Sequence, residues 1–469
     1  MTSTVSTDTT RRIPDYTLSV NADRRRDLAV NWLWLSVMAL AGAGVFSVLL
    51  VLARTPVIGE LIPYADFFHT ALVIHVDLSV LVWILAFSGV LWSLAARTGY
   101  FTLNRTIFYL IASATALIAI SGFLPGAKPL MSNYIPVLEN PVFLTGLVLF
   151  GVGIGAQVLT AMSLTPPVGA QMSAQGAQRF GLNCAAISVL MSIFAFAWSW
   201  IALPLELTSD IYYEFLFWGG GHVLQYTYTL LMMVCWLWLA SVARIEMVMS
   251  ERIIILIYLA GLVSVFIAPL IYYSYEVTHP MHLQMFTWLM SFGGSLATFP
   301  LGLAIYYGLV RRSPEEYREK AAHSALMTSL MLFACGGVIG FMIDGRNVTI
   351  PAHYHGCIVG VTLALMGVAY DILPRLGFPS VNFKWARIQL WVYAGGQFLH
   401  ILGLVWSGGY GVQRKVAGAA QGLDSIERIA GMGLMGLGGL ISAIGGLMFV
   451  IIALKALLNR QDQPKADAA

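Results

Sequence analysis

Charged residues are what this sequence has least of: 26 Lys and Arg and 23 Asp and Glu among 469 residues, 10% in all. A soluble globular chain carries roughly 25%, so a water-facing surface of ordinary size cannot be built from it. Cysteine is scarce as well. Cys184, Cys235, Cys335 and Cys357 each fall inside an apolar run, and none pairs at a disulfide-framework or zinc spacing, so they read as small buried hydrophobes. There is no GxxxxGK loop, no GxGxxG after a strand and no nucleophile elbow. A clear internal repeat is also missing, which weakens a secondary-transporter reading. No cleavable signal peptide is expected, because the chain begins polar and sets Arg24, Arg25 and Arg26 just before its first apolar run. The net charge of +3 belongs to the loops and points to no nucleic-acid partner.

What the chain does have is apolar length. Hydrophobic residues make up 58% of it, in runs of roughly twenty that recur from end to end, the length that crosses a bilayer as a helix. Spans are expected near 30–53, 67–95, 106–125, 142–163, 183–203, 213–242, 253–274, 285–310, 324–343, 350–373, 388–411 and 430–456. All must be helical, since backbone groups in hydrocarbon need partners within their own segment. The expected fold is therefore all-α: one integral membrane bundle of about twelve helices at 30–456, between a tail at 1–29 and a tail at 457–469.

Loop charge gives the orientation. Arg24 to Arg26 precede span 1. After the even-numbered spans come Arg97 and Arg105; Arg179; Arg244 and Arg252; Arg311, Arg312 and Arg318; and Arg375, Lys384 and Arg387. Arg460 and Lys465 follow the last span. The positive-inside rule puts that side, and both termini, in the cytoplasm; the membrane expected is a bacterial inner membrane. Arg414, Lys415 and Arg428 break the trend by lying outside, which calls for an anionic partner there.

The nine histidines are the informative feature. Spans 2, 6 and 10 all enter from outside. At 1.5 Å per residue, His75 on span 2 and His222 on span 6 lie roughly 10–15 Å deep. His353 and His355 occupy the first turns of span 10. A lone intramembrane histidine is as readily explained by a bond to a neighbouring helix. Four at matched depth point to metal or haem iron, for which neutral imidazole is a good ligand. Residues i and i+2 on a helix point about 200° apart, so His353 and His355 cannot share one metal. They can hold two planar cofactors on opposite flanks.

Here the sequence resembles the haem–copper oxidase subunit I family. Residues 350–356, Ile-Pro-Ala-His-Tyr-His-Gly, look like its tenth-helix HxH motif. Residues 216–226, Leu-Phe-Trp-Gly-Gly-Gly-His-Val-Leu-Gln-Tyr, look like its sixth-helix motif. His75 with Leu78 and Trp83 is similar to the second helix of the nitric-oxide-reductase branch, and 397–415 resembles the eleventh helix with its basic pair. The resemblance implies two haems. His75 and His355 would ligate a low-spin haem and His353 a high-spin haem that binds gas. His222 would ligate a second, non-haem metal, copper or iron. Tyr226 would be the family's active-site tyrosine, Arg414 and Lys415 would neutralise haem propionates, and Trp218 would pack beside the site, a place core packing explains as well.

The sequence departs from the family in two places. Where the family has two further metal-binding histidines after helix 7, this chain has Ser274, Tyr275 and Glu276. The nearest substitutes are Glu276, His279 and His282. A site of two imidazoles and a carboxylate suits iron(II) better than copper; equally, His279 and His282 can be ordinary residues of a polar loop. The family's channel lysine in helix 8 is also absent, with Ala304 near its place. Tyr226 favours O2 as substrate, whereas the two departures favour NO. The expectation leans to reduction of NO to N2O. The alternatives are a cytochrome c oxidase making water, and a non-enzymatic haem protein that binds gas. Electrons would come from a donor subunit or cytochrome c, since the chain has no cysteine-rich copper motif and no CxxCH haem attachment. Lesser candidates are His69 at the interface, His400 packed in span 11, and His323 on the cytoplasmic side. Asp344 and Arg346 read as a surface ion pair or water and propionate ligands, while Asp77 and Glu206 carry no clear role.

Overall fold

The computed structural model describes residues 14–53, 67–168, 172–415 and 422–459. Twelve of the described helices are long and apolar enough to cross a bilayer. They are α1 (Arg24–Ala53), α2 (Phe67–Ala95), α3 (Phe101–Ser121), α4 (Pro141–Leu164), α5 (Ala174–Ala202), α6 (Ser209–Val242), α7 (Glu251–Ser274), α8 (Pro280–Arg311), α9 (Tyr317–Phe341), α10 (Thr349–Arg375), α11 (Phe383–Gly409) and α12 (Ile426–Leu458). One hairpin interrupts the all-α pattern: β1 (Lys128–Leu130) pairs antiparallel with β2 (Val137–Glu139), with Pro129 opposite Leu138.

Several helices begin a turn or two before the apolar runs do. These extra turns are polar and carry their own caps. Asp23 Oδ1 accepts from the Arg25 N–H at 2.9 Å ahead of α1. Ser173 Oγ accepts from Gly176 N at 3.0 Å ahead of α5, and Asn382 Oδ1 from Lys384 N at 3.1 Å ahead of α11. A side-chain oxygen at this position satisfies one of the four otherwise orphaned N–H groups of the first turn. The tail reading shifts accordingly. Residues 24–29 are helical, and Tyr16 just before them is fully buried, its N–H on Ser241 Oγ at 2.8 Å. Residues 1–13 and 460–469, the rest of the two tails, lie outside the described residues.

Three helices form the centre. Their apolar windows are 94% (α6), 89% (α10) and 72% (α2) buried, against 28–50% for the other nine. Close packing around them depends on glycine. A Cβ at Gly336 of α9 would stand 2.5 Å from the backbone nitrogen of Cys357 in α10. Along α11 and α12, a Cβ at Gly438 would meet the His400 nitrogen at 2.2 Å and one at Gly403 the Met435 nitrogen at 2.3 Å. Helices approach this closely in membranes where small residues line the seam.

Three helices are irregular. In α2 the stretch Asp77–Val82 is π-helical. In α7 the turn Ser264–Ile267, and in α8 the turn Gly294–Ala297, tighten to 3-10 geometry. The last two breaks lean on each other, Gly294 N donating to Ser264 Oγ at 2.8 Å. On the arginine-bearing face, buried Asp371 holds that end together by accepting from Trp238 Nε1 and Arg375 Nε, both at 2.9 Å, and from Arg318.

Candidate functional site

The three central helices are those that carry His75, His222, His353 and His355. The two imidazoles of α10 leave on different flanks. His353 faces α9, where its Nδ1 donates to the Gly336 carbonyl at 2.7 Å. His355 faces α11 and α2: its ring lies 4.7 Å from the ring of His400, and His75 is within electrostatic reach.

A common device orients these rings. His75 Nδ1 donates to the Ala43 carbonyl of α1 at 2.9 Å, His222 Nδ1 to Trp218 at 2.7 Å, and His400 Nδ1 to Met435 of α12 at 2.9 Å. A carbonyl can only accept, so Nδ1 carries the proton. In a neutral imidazole that leaves the lone pair on Nε2, the form that binds a metal. Backbone carbonyls are usual second partners of metal-binding histidines. The donor set therefore fits haem iron. The glycine that backs His353 fits too: a Cβ at Gly340 would come within 2.7 Å of its Nδ1.

Around His222 the wall is aromatic. Tyr134, from the hairpin loop, lies tilted against it at 4.6 Å, with Trp218 at 4.9 Å and Phe286 of α8 at 5.8 Å. His282, in the first turn of α8, packs on the same Phe286 at 5.1 Å and on Tyr272 at 4.8 Å. It is fully buried, and neither of its ring nitrogens has a hydrogen-bond partner among the described residues. A buried imidazole with both nitrogens unmatched is costly and calls for a ligand. His279 is placed differently: it is exposed and caps α8, its Nδ1 accepting from Met281 N at 3.1 Å. Glu276 is exposed as well. Among the described residues no group of three His, Cys, Asp or Glu gathers to cage a metal. The structure thus brings His282 inward towards His222 and leaves Glu276 and His279 on the outer surface. Pro280 causes the split, since it fixes the first helical position and sends residues on either side of it in different directions.

Tyr226 stands one turn below His222 and is 1% exposed. Its hydroxyl donates to the Leu289 carbonyl at 2.5 Å, just before the break in α8. At the helix ends opposite the arginine-bearing face, Asn133 gathers the charges. Arg414 Nη1 and Lys415 Nζ both donate to its Oδ1 at 2.9 Å. The Glu214 carboxylate accepts from its backbone N–H at 3.0 Å. The Lys415 ammonium also donates to the Met131 carbonyl, though the residue as a whole is exposed. Burial and the Arg414 charge beside it bring its pKa down to about 8, with Glu214 opposing.

The remaining candidates lie away from this layer or serve packing. His323 Nε2 donates to the Leu309 carbonyl at 3.2 Å. His69 packs edge-on against Phe68. Glu206, Asp344 and Arg346 are exposed. Asp77 is 1% exposed in the π-helical stretch, with Oδ2 unpartnered. Sequence reading missed Tyr134, which no motif marks, and set His400 aside as packing although its ring touches that of His355.

Comparison with known proteins agrees with this architecture. The cytochrome c and quinol oxidase polypeptide I family matches residues 27–448. An uncharacterised protein of Rickettsia prowazekii is 31% identical over 94% of this chain and 98% of its own length. Cytochrome c oxidase subunit 1 of Thermus thermophilus is 28% identical over 34% of this chain and 30% of its own. A haem–copper terminal oxidase dimer solved by cryo-electron microscopy superposes with a TM-score of 0.72 at 15% identity, covering 94% of this chain and 86% of that one, a likeness of fold. With the family matched from the first span into the last, this chain belongs to the cytochrome c and quinol oxidase polypeptide I family and is a membrane respiratory oxidoreductase of the haem–copper oxidase subunit I type.

Proposed function

We propose that this chain is the gas-reducing subunit of a bacterial inner-membrane respiratory assembly, with both termini in the cytoplasm, and that its substrate is nitric oxide. Two NO, two electrons and two protons give N2O and water. The observation that carries the reading is the pair of imidazoles leaving α10 on opposite flanks, each beside a different set of helices. His75 and His355 would hold one haem and His353 the other, with His222 and His282 facing the second haem as ligands of a non-haem metal, iron or copper. When bound, the haems and metal supply electron transfer and a gas-binding iron. The protein's own groups do the rest. Backbone carbonyls fix the tautomer and aim of the His75, His222 and His353 rings. Arg414 and Lys415 offer positive charge to haem carboxylates. Tyr134, Trp218 and Phe286 wall the site with apolar rings that admit a diatomic gas and exclude water. A separate donor, a cytochrome c or a partner subunit, would deliver the electrons.

The preference for NO rests on Tyr226 and the ligand set. The Tyr226 hydroxyl is committed to the α8 backbone at Leu289, and two imidazoles without a third suit a reaction that breaks no O–O bond. The second reading is reduction of O2 to water, and the place of Tyr226 one turn from His222 favours it. Purified protein given an artificial electron donor decides between them. Stoichiometric N2O with slow O2 uptake supports the proposal; rapid O2 uptake without N2O overturns it in favour of the oxidase. Consumption of neither gas, with haem retained and no second metal, leaves a gas-binding protein.

A further inference from the structure

A pocket of about 410 Å³ opens at the arginine-bearing ends of α1, α2, α3 and α4, far from the histidine layer. Small-molecule sites run from roughly 300 to 1,000 Å³, so it is large enough for a phosphate with a short alcohol. Arg24, Arg25, Arg97 and Asp23 line it, three guanidiniums against one carboxylate. Asp23 is already taken by Arg25, its Oδ2 accepting from Nη2 at 2.6 Å. Arg25 is further fixed by donating to the Ala96 carbonyl at 2.7 Å. Arg24 is held above the Phe101 ring at 5.0 Å. The pocket therefore carries a net positive charge, with Arg24 and Arg25 set in place by other contacts and the Arg97 side chain exposed at its edge.

The start of α3 adds to this. Its first turn has no side-chain cap, because Tyr100 precedes it in a left-handed conformation, φ 45°. Tyr100, Phe101 and Asn104 of this start line the pocket, and such a helix start favours anions. An independent feature points to a ligand. Gln157 of α4 lines the pocket at 2% exposure, and its Oε1 has no hydrogen-bond partner. A buried amide carbonyl needs a donor, which a bare phosphate diester does not supply and an alcohol hydroxyl does. The remaining wall is apolar, with Trp92, Leu28 and Leu164 among its residues.

We infer that this pocket binds a phosphate ester that also carries a free hydroxyl, with Arg24 and Arg97 on the phosphate and Gln157 on the hydroxyl. Two sources share that chemistry: the headgroup of a phosphatidylglycerol-type lipid and a soluble glycerol phosphate. The apolar wall and the place of the pocket at the membrane surface suit the lipid, since basic residues there attract anionic headgroups.

The test uses the purified full-length chain, stripped of lipid in detergent, with binding followed by native mass spectrometry and by Trp fluorescence. The probes are dihexanoyl phosphatidylglycerol, dihexanoyl phosphatidic acid, dihexanoyl phosphatidylcholine and glycerol 3-phosphate. Saturable binding of the phosphatidylglycerol, weakened about fivefold by Arg97→Gln, supports the site with a lipid source. Equal binding of glycerol 3-phosphate supports the site with a soluble source. Gln157→Leu, a buried swap of similar size, should erase the preference of phosphatidylglycerol over phosphatidic acid while leaving anion binding in place. Arg105→Gln, an exposed change on the same face outside the pocket, serves as the control and should bind as the unaltered protein does. Equal binding of phosphatidylcholine, or unchanged binding in both Arg97→Gln and Gln157→Leu, overturns the inference.

Discussion

Replacing Gly340 by alanine should loosen one haem and spare the other. Gly340 lies on α9 directly behind His353. An added Cβ would stand 2.7 Å from the His353 Nδ1 and 2.8 Å from its Cε1, where ordinary contact begins at 3.4 Å. The ring must therefore withdraw by about 0.7 Å, because the neighbouring glycine seam leaves α9 no room to yield instead. That shift is enough to spoil the 2.7 Å bond from Nδ1 to the Gly336 carbonyl, a net loss of about 1 kcal/mol. Loss of such an outer partner typically weakens a metal site by about 10- to 100-fold. Helix propensity works in the other direction, since alanine is favoured over glycine by roughly 0.5–1 kcal/mol inside a helix. Thermal stability of the fold should thus hold while retention of the His353-bound haem falls. Gly337→Ala is the matched control, having nothing within 4 Å of its added Cβ. The assay is haem content per chain together with the reduced, CO-treated difference spectrum. The low-spin band should be unchanged and the CO-reactive band reduced. A Gly340→Ala protein with full CO-reactive haem and normal CO affinity would refute the placement of His353 as that haem's ligand.

Other expectations use the same spectra and the gas assays. His75→Ala and His355→Ala should both abolish the low-spin band, and His353→Ala only the CO-reactive one; one shared phenotype for all three would contradict the opposite-flank arrangement. Tyr226→Phe should fold normally, since the Leu289 carbonyl keeps its bond from Gly293 N at 2.8 Å, and NO turnover should stay within about twofold. A collapse of NO turnover in that variant would show that the hydroxyl takes part. As pH rises through about 8, Lys415 loses its proton, and with it the positive charge that favours the reduced haem. The haem midpoint potential should fall between about pH 7 and 9 in the wild type and fall less in Lys415→Arg, whose guanidinium stays charged. Equal slopes in spectroelectrochemical titrations would rule Lys415 out. His282→Ala should lower the non-haem metal content while His279→Ala leaves it alone, as metal quantitation of the two proteins can establish.

The number of spans was legible because hydrocarbon admits only one kind of element, and a run of about twenty apolar residues announces it. Their ends were less so. The polar first turns of α1, α5 and α11 are held by Asp23, Ser173 and Asn382, local hydrogen bonds that hydropathy does not register. The breaks in α7 and α8 had no periodic signature either, since Ser264 and Gly294 meet only once the two helices are packed. In the site, the two-residue spacing of His353 and His355 was enough to separate their directions, because helix geometry alone fixes it. His279 and His282 could not be told apart in that way. They flank a helix start whose position depends on Pro280, and one faces outward while the other is sealed against Phe286. Tyr134 reaches His222 from a hairpin loop between spans, a contact made by tertiary folding alone.

The carbonyl anchors on His75, His222, His353 and His400 have a consequence for assembly. A free imidazole samples several rotamers and two tautomers, and a cofactor that had to choose among them would bind at a cost in entropy. Here the choice is made as the helices pack, so a porphyrin bound at these rings would meet imidazoles already aimed. Maturation would then be limited by how a porphyrin reaches these rings rather than by side-chain rearrangement around it.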